Sequence, residues 1–329
     1  MDRGPIFLAG IERSGTSLMY ALLASHPNIA MTRRTNLWAY FYKQYGDLRQ
    51  RDNFERCLAA MLHYKRLLKL NPDADRIRRE FWQGEPTYPR LFALLEEHHA
   101  ERLGKPRWGD KSLNTERYVD EIFAAYPNAR MVQLIRDPRD RYASSLTRWK
   151  EIRGRAGTGV ARWVASIERA QRNLQRYPDR YMVIRYESLA SQPEETLRAV
   201  CAFLGEAYSP AMLTMEGAPL HRNKGGNSSY GKRAPGQIST SSIGKFRKVL
   251  SQRDIAFIQT YAGREMAAFG YEPEPVRFSF GDRLLFSLVD WPANMARIAA
   301  WHVLEAIRDR TGRTPSAHTI LGEARATGV

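Results

Sequence analysis

The chain has 329 residues, 43% of them hydrophobic and 26% charged, which is the composition of a folded globular protein and excludes a disordered one. Lys and Arg number 51 against 35 Asp and Glu, so the formal net charge is +16, and such a surface favours anionic partners: nucleotides, acidic glycans, nucleic acid or a membrane face. No segment reaches the roughly eighteen apolar residues of a membrane span, the first strand starts within about five residues of Met1, and Cys57 and Cys201 lack metal-site spacing; the expectation is a cytoplasmic protein with two core thiols.

Residues 5–9 read as a short buried strand that turns through Gly10, Arg13, Ser14 and Gly15 into a helix opening at Thr16 and Ser17. Such a turn is a phosphate cradle, because loop N–H groups and the positive end of the helix dipole converge on one point. Gly10, Gly15 and Ser17 fit the spacing G-x-x-x-x-G-K-[ST], but Thr16 stands where the lysine belongs and Arg13 puts a guanidinium in the loop instead. A ligand with fewer terminal charges than a triphosphate suits this loop better. The bland alternative is a turn whose glycines do nothing but turn.

Further along, residues 29–31 predict a second strand, and the apolar spacing predicts helices over 53–70 and 90–103, the latter with His98 and His99 at a solvated end. Residues 131–135 predict a buried strand ending at Arg136-Asp137-Pro138, with a helix beginning near Pro138. A fourth strand is expected over 181–186 and a helix over 194–204 ending near Gly205. Strands alternating with helices imply an α/β fold, a P-loop-like parallel sheet with helices on both faces. Ligands in such sheets sit at the carboxyl ends of the strands, where Arg13, Arg136 and Tyr186 fall.

The basic, Gly- and Ser-rich stretch from His221 to Arg247 reads as a loop or lid. A helix is expected over 252–269, and amphipathic helices split at Pro292 over 280–310. Their apolar side (Leu284, Leu285, Leu288, Trp291, Met295, Ile298, Trp301, Leu304, Ile307) would pack on the main domain or a second subunit, or lie against a membrane. The division expected is a main domain over 1–275 and a C-terminal amphipathic helical appendage over 276–329.

Two segments read together carry a resemblance. Glu12-Arg13-Ser14-Gly15-Thr16-Ser17, with the strand ending in Arg136 and Ser144 eight residues on, resembles the sulfotransferases that use 3′-phosphoadenosine-5′-phosphosulfate (PAPS). The chain looks closest to the branch containing tyrosylprotein and bacterial carbohydrate sulfotransferases. Asp110-Lys111, Arg148, Tyr186-Glu187-Ser188-Leu189 and the late stretch Ser239 through Lys245 also match in spacing, and the likeness runs from residue 5 to about 271. It implies that Arg13, Ser14, Gly15, Thr16 and Ser17 hold the 5′-phosphosulfate and Arg136 and Ser144 the 3′-phosphate, with Arg148, Tyr186, Ser239 and Lys245 lining the nucleotide.

The residue types suit that chemistry. Negative charge grows on the oxygen leaving with the nucleotide, and Arg13, the loop N–H groups and Lys111 would stabilise it with no metal required. A departure concerns the base: where the tyrosylprotein branch has a glutamate, this chain has Arg33 and Arg34. Two arginines there make protein tyrosine a poorer acceptor and suit a small-molecule or glycan acceptor with anionic character. Replacement bases are Glu12, Asp110 and Glu85. The aromatic run Trp38 to Tyr42 would stack on sugars or fill the core. Two alternatives stay open: a small-molecule kinase with a degenerate P-loop, and a non-catalytic basic module binding nucleic acid or membrane. The sulfotransferase reading expects no nucleic-acid partner, and membrane contact only at residues 280–310.

Overall fold

Five short segments, apolar in β1, β4 and the middle of β5 but Arg-Trp-Gly-Asp-Lys in β3, pair in parallel as β1 (Ile6–Ala9), β2 (Ile29–Arg33), β3 (Arg107–Lys111), β4 (Arg130–Ile135) and β5 (Tyr181–Arg185), in the spatial order β2-β3-β1-β4-β5. The structure, a computed structural model, describes residues 3–223 and 234–311; the remainder, including part of the His221–Arg247 stretch, lies outside the described residues. Every residue of β1 and β3 is buried, as expected of a parallel sheet covered on both faces.

Helix α1 (Thr16–Ala24) joins β1 to β2. Between β2 and β3 come α2 (Arg51–His63), α3 (Lys65–Leu68), α4 (Ala74–Phe81) and α5 (Tyr88–Arg102). Next, α6 (Val119–Ala125) precedes β4, α7 (Pro138–Leu146) and α8 (Ala156–Arg176) follow it, and α9 (Tyr186–Ser191) and α10 (Pro193–Leu204) follow β5. The chain continues through α11 (Pro219–Arg222), α12 (Phe246–Val249), α13 (Gln252–Tyr261) and α14 (Gly263–Ala268) to α15 (Phe280–Leu285) and α16 (Trp291–Thr311).

Alternate strand residues point to opposite faces. Phe7 and Ala9 meet the α2, α5 and α6 side, while Ile6 and Leu8 meet α1 and α10. A third cluster joins α7, α8 and α13 to Ile298 of α16. After β1 the chain moves to one side of the sheet, and with β4 it moves to the other, so the crevice between β1 and β4 is the switch point where open α/β sheets take ligands.

Three local expectations change and one left open is settled. The 53–70 helix breaks at Tyr64, whose backbone turns extended while its hydroxyl reaches the Arg34 carbonyl at 3.3 Å and accepts from Asn36 at 2.8 Å. His98 is no solvated end: it is buried, with Nε2 at 2.8 Å from the Glu80 carboxylate of α4. The aromatic run is mostly core, since Trp38 and Phe41 are buried and Trp38 packs edge-on against Phe92. Pro292 does not split the C-terminal helix; a π-helical turn, Phe286–Asp290, comes just before it. The apolar side of that segment also divides. Ile298 is buried, with Trp291, Met295 and Trp301 packed beside it, whereas Leu284, Leu285, Leu288, Leu304 and Ile307 are exposed. No described helix is long and apolar enough to cross a membrane.

Candidate active site

The loop after β1 is shaped by backbone that other residues could not follow. Gly10 has φ 123°, and a Cβ there would lie 2.5 Å from the Leu134 carbonyl oxygen of β4. Gly15 has φ 93°, and its Cβ would lie 2.5 Å from the Tyr186 ring. Both positions demand glycine for conformation and for room. Arg13, between them, also takes the left-handed region at φ 68°, a cost that a binding loop retains for the direction it gives the side chain. Helix α1 starts at Thr16, so its first N–H groups have no partner within the helix and stand at the positive end of its dipole.

The two predicted halves of the site meet. Arg13 donates from Nε and Nη2 to the Ser144 hydroxyl at 2.9 and 2.8 Å. Because that oxygen is accepting, its own proton is left to donate outward. Arg136 leaves β4, donates to the Arg13 carbonyl at 3.3 Å and the Ser242 carbonyl at 2.7 Å, and lies 4.4 Å over the Tyr186 ring. The Tyr186 hydroxyl is 2.7 Å from Ser242 Oγ. Arg136 makes no ion pair with Asp137, whose carboxylate caps α7 through the Arg139 N–H and pairs with the Arg139 guanidinium at 2.6 Å. Of the eleven buried side-chain polar atoms without a hydrogen-bond partner among the described residues, two lie in the cradle: Ser14 Oγ and Arg136 Nε. Buried polar groups are almost always satisfied, so two orphans in one cradle mark where a ligand's oxygens belong.

Two residues were not singled out by sequence reasoning. Asp140, one turn into α7, accepts from the Gly244 N–H at 2.6 Å and the Phe246 N–H at 2.9 Å, which fastens the late stretch to the cradle. Ser242 performs the same service from the other side. Ser242 fell inside a stretch read as closing over the nucleotide, while Asp140 had no signal beyond being one acid in a charged run. Of the neighbours that were named, Ser239 accepts the Ser241 N–H at 3.1 Å and Lys245 precedes α12. Thr16 is buried and Ser17 exposed at the start of α1.

On the other side of β1, Lys111 ends β3 almost fully buried, and burial, followed by the nearby charges of Arg34 and Arg33, pulls its pKa down to about 7. Arg33 pairs with Lys111 in register, and the Arg34 N–H donates to the Lys111 carbonyl at 2.8 Å. Arg148 lies two residues past the end of α7. Its guanidinium lies 5.6 Å over Trp149 and its charge acts on Arg34.

The carboxylates proposed as bases are engaged elsewhere. Glu12 is clamped by Arg141 at 2.5 Å and Arg162 at 3.0 Å, and although burial opposes it, those two cations hold its pKa below the usual range. A carboxylate held ionised by two guanidinium groups is a weak base. Asp110 points from β3 toward α5, where Thr32 Oγ1 lies 3.0 Å from its Oδ1 and 2.9 Å from Glu96 Oε1. One hydroxyl proton cannot serve both carboxylates. Burial raises both carboxyl pKa values, that of Glu96 well above normal with the Asp110 charge beside it, so the pair favours holding a proton that the Thr32 hydroxyl bridges. Glu85 sits apart, paired with Arg49 beside an approximately 870 Å³ cavity that no cradle residue lines. A second cavity, of approximately 710 Å³, opens beside the cradle between Glu12, Leu113, Ser145, Trp149 and Arg162.

Comparison with known proteins accords with this geometry. Over 221 residues the chain is 25% identical to a protein-tyrosine sulfotransferase of Drosophila melanogaster, covering 64% of this chain but only 40% of the fly protein. Over 102 residues it is 33% identical to carbohydrate sulfotransferase 2 of Mus musculus, 30% of this chain and 19% of the mouse protein. The sulfotransferase domain from the Synechococcus PCC 7002 olefin synthase superposes with a TM-score of 0.56 at 19% identity, over 82% of this chain and 95% of that domain, which establishes the fold. The sulfotransferase family model matches residues 5–210, a span that holds the glycine cradle, Lys111 and the Arg136–Ser144 helix, and by that match the chain belongs to the sulfotransferase family.

Proposed function

We propose that this protein transfers a sulfuryl group from PAPS to a hydroxyl of a carbohydrate, glycolipid or other small acceptor. The observation that carries this reading is the joined cradle, in which Arg13 meets Ser144, Arg136 meets Ser242, and Ser14 Oγ and Arg136 Nε are buried with no hydrogen-bond partner among the described residues. Those residues fit a nucleotide bearing two separate anionic groups. When bound, PAPS supplies the sulfuryl group, displaced in line from the 5′-phosphate by the acceptor oxygen.

Arg13 and the first N–H groups of α1 would hold the 5′-phosphosulfate, and Arg136 with the outward proton of Ser144 the 3′-phosphate. Tyr186 and Ser242 keep the Arg136 guanidinium in place over the aromatic ring. Lys111 faces the reacting centre from β3. An anion beside it favours its charged form, so a lysine whose pKa burial has pulled down to about 7 would take up a proton as the nucleotide arrives. That new cation then stabilises charge on the departing oxygen.

The acceptor class rests on Arg33 and Arg34, which stand where the tyrosylprotein branch carries its glutamate, and on the open cavity beside the cradle. The test is transfer of radiolabelled sulfur from PAPS to a library of mono- and oligosaccharides, lipid-linked sugars and tyrosine peptides. Labelled carbohydrate or lipid-linked sugar, lost in Arg13→Ala, is the expected result. Labelled peptide alone, or phosphoryl transfer from ATP with magnesium and none from PAPS, would overturn it.

A further inference from the structure

The cations at the ends of β2 and β3 exceed what the nucleotide requires. Arg13 and Arg136 stand at the β1 and β4 ends, whereas Arg33 and Arg34 follow β2, with Lys111 of β3 between the two groups. Tyr64 brings a third guanidinium to that corner, because the residue that holds the Arg34 carbonyl also opens α3, which carries Arg66. The backbone there is set deliberately. Arg34 and Asn36 both adopt left-handed φ, 59° and 52°, and the Ser112 hydroxyl accepts the Asn36 N–H at 2.9 Å to hold the turn.

Among the described residues no carboxylate forms an ion pair with Arg33, Arg34 or Arg66. Arg33 lies 5.4 Å over the Tyr20 ring, and all three side chains are half-buried. Guanidinium groups do not relieve crowding by losing protons in the ordinary pH range, so like charges gathered in a half-buried corner remain in tension until an anion joins them. The effect is visible on their neighbours: burial and then the charges of Arg33, Arg66 and Arg148 pull Arg34 down, and Arg34 and Arg33 act on Lys111. Three arginines on exposed helices show the alternative. Arg76, Arg78 and Arg198 each pair with a Glu within 3.1 Å.

We propose that Arg33, Arg34 and Arg66 form a second oxyanion subsite, separate from the nucleotide cradle, which holds a phosphate or carboxylate carried by the acceptor itself while the acceptor's hydroxyl reaches Lys111. This rests on the sulfotransferase reading. The planar forks of the three guanidinium groups suit two-point binding of either group. The subsite selects a sugar phosphate or a uronic acid over a neutral sugar of the same size.

The test titrates inorganic phosphate and, separately, acetate into protein saturated with 3′-phosphoadenosine-5′-phosphate, comparing wild type with Arg33→Gln/Arg34→Gln and with Arg66→Gln. Saturable anion binding that weakens tenfold or more in both variants, with nucleotide affinity kept within twofold, is the expected result. The phosphate and acetate arms tell which anion is preferred. Absence of anion binding in wild type, or equal binding in the variants, overturns the subsite. Nucleotide affinity in the variants also reports that they are folded. If wild type does not bind the nucleotide at all, the sulfotransferase reading fails, and the same phosphate titration on the nucleotide-free protein still decides the arginine corner.

Discussion

The two sides of the sheet's carboxyl edge are built on opposite plans. On the β1–β4–β5 side, three charged groups have partners fixed by other elements: Arg13 donates to Ser144, Arg136 donates to the Ser242 carbonyl and lies over the Tyr186 face, and Asp140 accepts from two N–H groups of the late stretch. On the β2–β3 side, Arg33, Arg34 and Arg66 form no ion pair among the described residues, and Lys111 has beside it only Asp110, one of a carboxyl pair that shares the Thr32 hydroxyl. The first side is organised before its ligand arrives, as electrostatic catalysis requires. The second is held in charge tension that a ligand relieves. In the proposed function the nucleotide belongs to the first and the acceptor to the second.

The sharpest way to break the contrast is to fill the organised side. Gly15→Ala places a Cβ against Tyr186 at a φ that alanine resists, and should weaken binding of 3′-phosphoadenosine-5′-phosphate about a hundredfold, measured by calorimetry, with the far-ultraviolet spectrum unchanged. Undiminished binding would mean that the loop is no cradle.

Next in size is Lys111→Met. Sulfuryl transfer should fall by roughly two to three orders of magnitude. Stability should move the other way. The folded pKa of about 7 lies below the ordinary lysine value of 10.5, so the folded protein binds fewer protons than the unfolded chain in between. The wild-type penalty is therefore full below about pH 7 and gone by about pH 10.5, and methionine removes it. Urea unfolding should show the variant more stable at pH 6, by an amount on the order of 4 kcal/mol, with the gap closing toward pH 10. A gap that does not change with pH would show that Lys111 is not held as described.

Smaller effects refine the picture. Asp140→Asn removes one of the two anchors of the late stretch and should weaken nucleotide binding about tenfold, while Ser242→Ala, which loses the Tyr186 hydroxyl contact, should cost about fivefold. Glu12→Gln separates a clamp from a base. As a clamp, its loss should lower stability by roughly 1–3 kcal/mol and leave the transfer rate within about threefold with the same pH profile. Loss of transfer at constant fold would restore Glu12 to the chemistry.

The organised side was largely legible in the sequence. Its signals are local: two glycines five residues apart, an arginine ending an apolar strand, and a serine two turns into the helix that follows. Each reflects a rule of strand ends and helix starts, and together they located Arg13, Ser144, Arg136 and Tyr186. What a single chain hides is who meets whom across long separations. Glu12 and Asp110 were candidate bases as carboxylates in the cradle loop and beside Lys111, but Arg141 and Arg162 are 129 and 150 residues from Glu12, and Glu96 reaches Asp110 only through Thr32. His98 was misplaced for the same reason, since its partner Glu80 comes from another helix. The arginine corner was half-legible: Arg33 and Arg34 were visible, while Arg66 joins them only because Tyr64 breaks its helix.

The most direct test of the central claim is calorimetric titration of 3′-phosphoadenosine-5′-phosphate in EDTA at pH 8, in two buffers of different ionisation enthalpy, with wild type, Arg136→Ala and Lys111→Met. The account predicts tight binding with proton uptake in wild type, binding lost in Arg136→Ala, and binding without uptake in Lys111→Met. Affinity unchanged in Arg136→Ala, or binding only of ATP and only with magnesium, would contradict it.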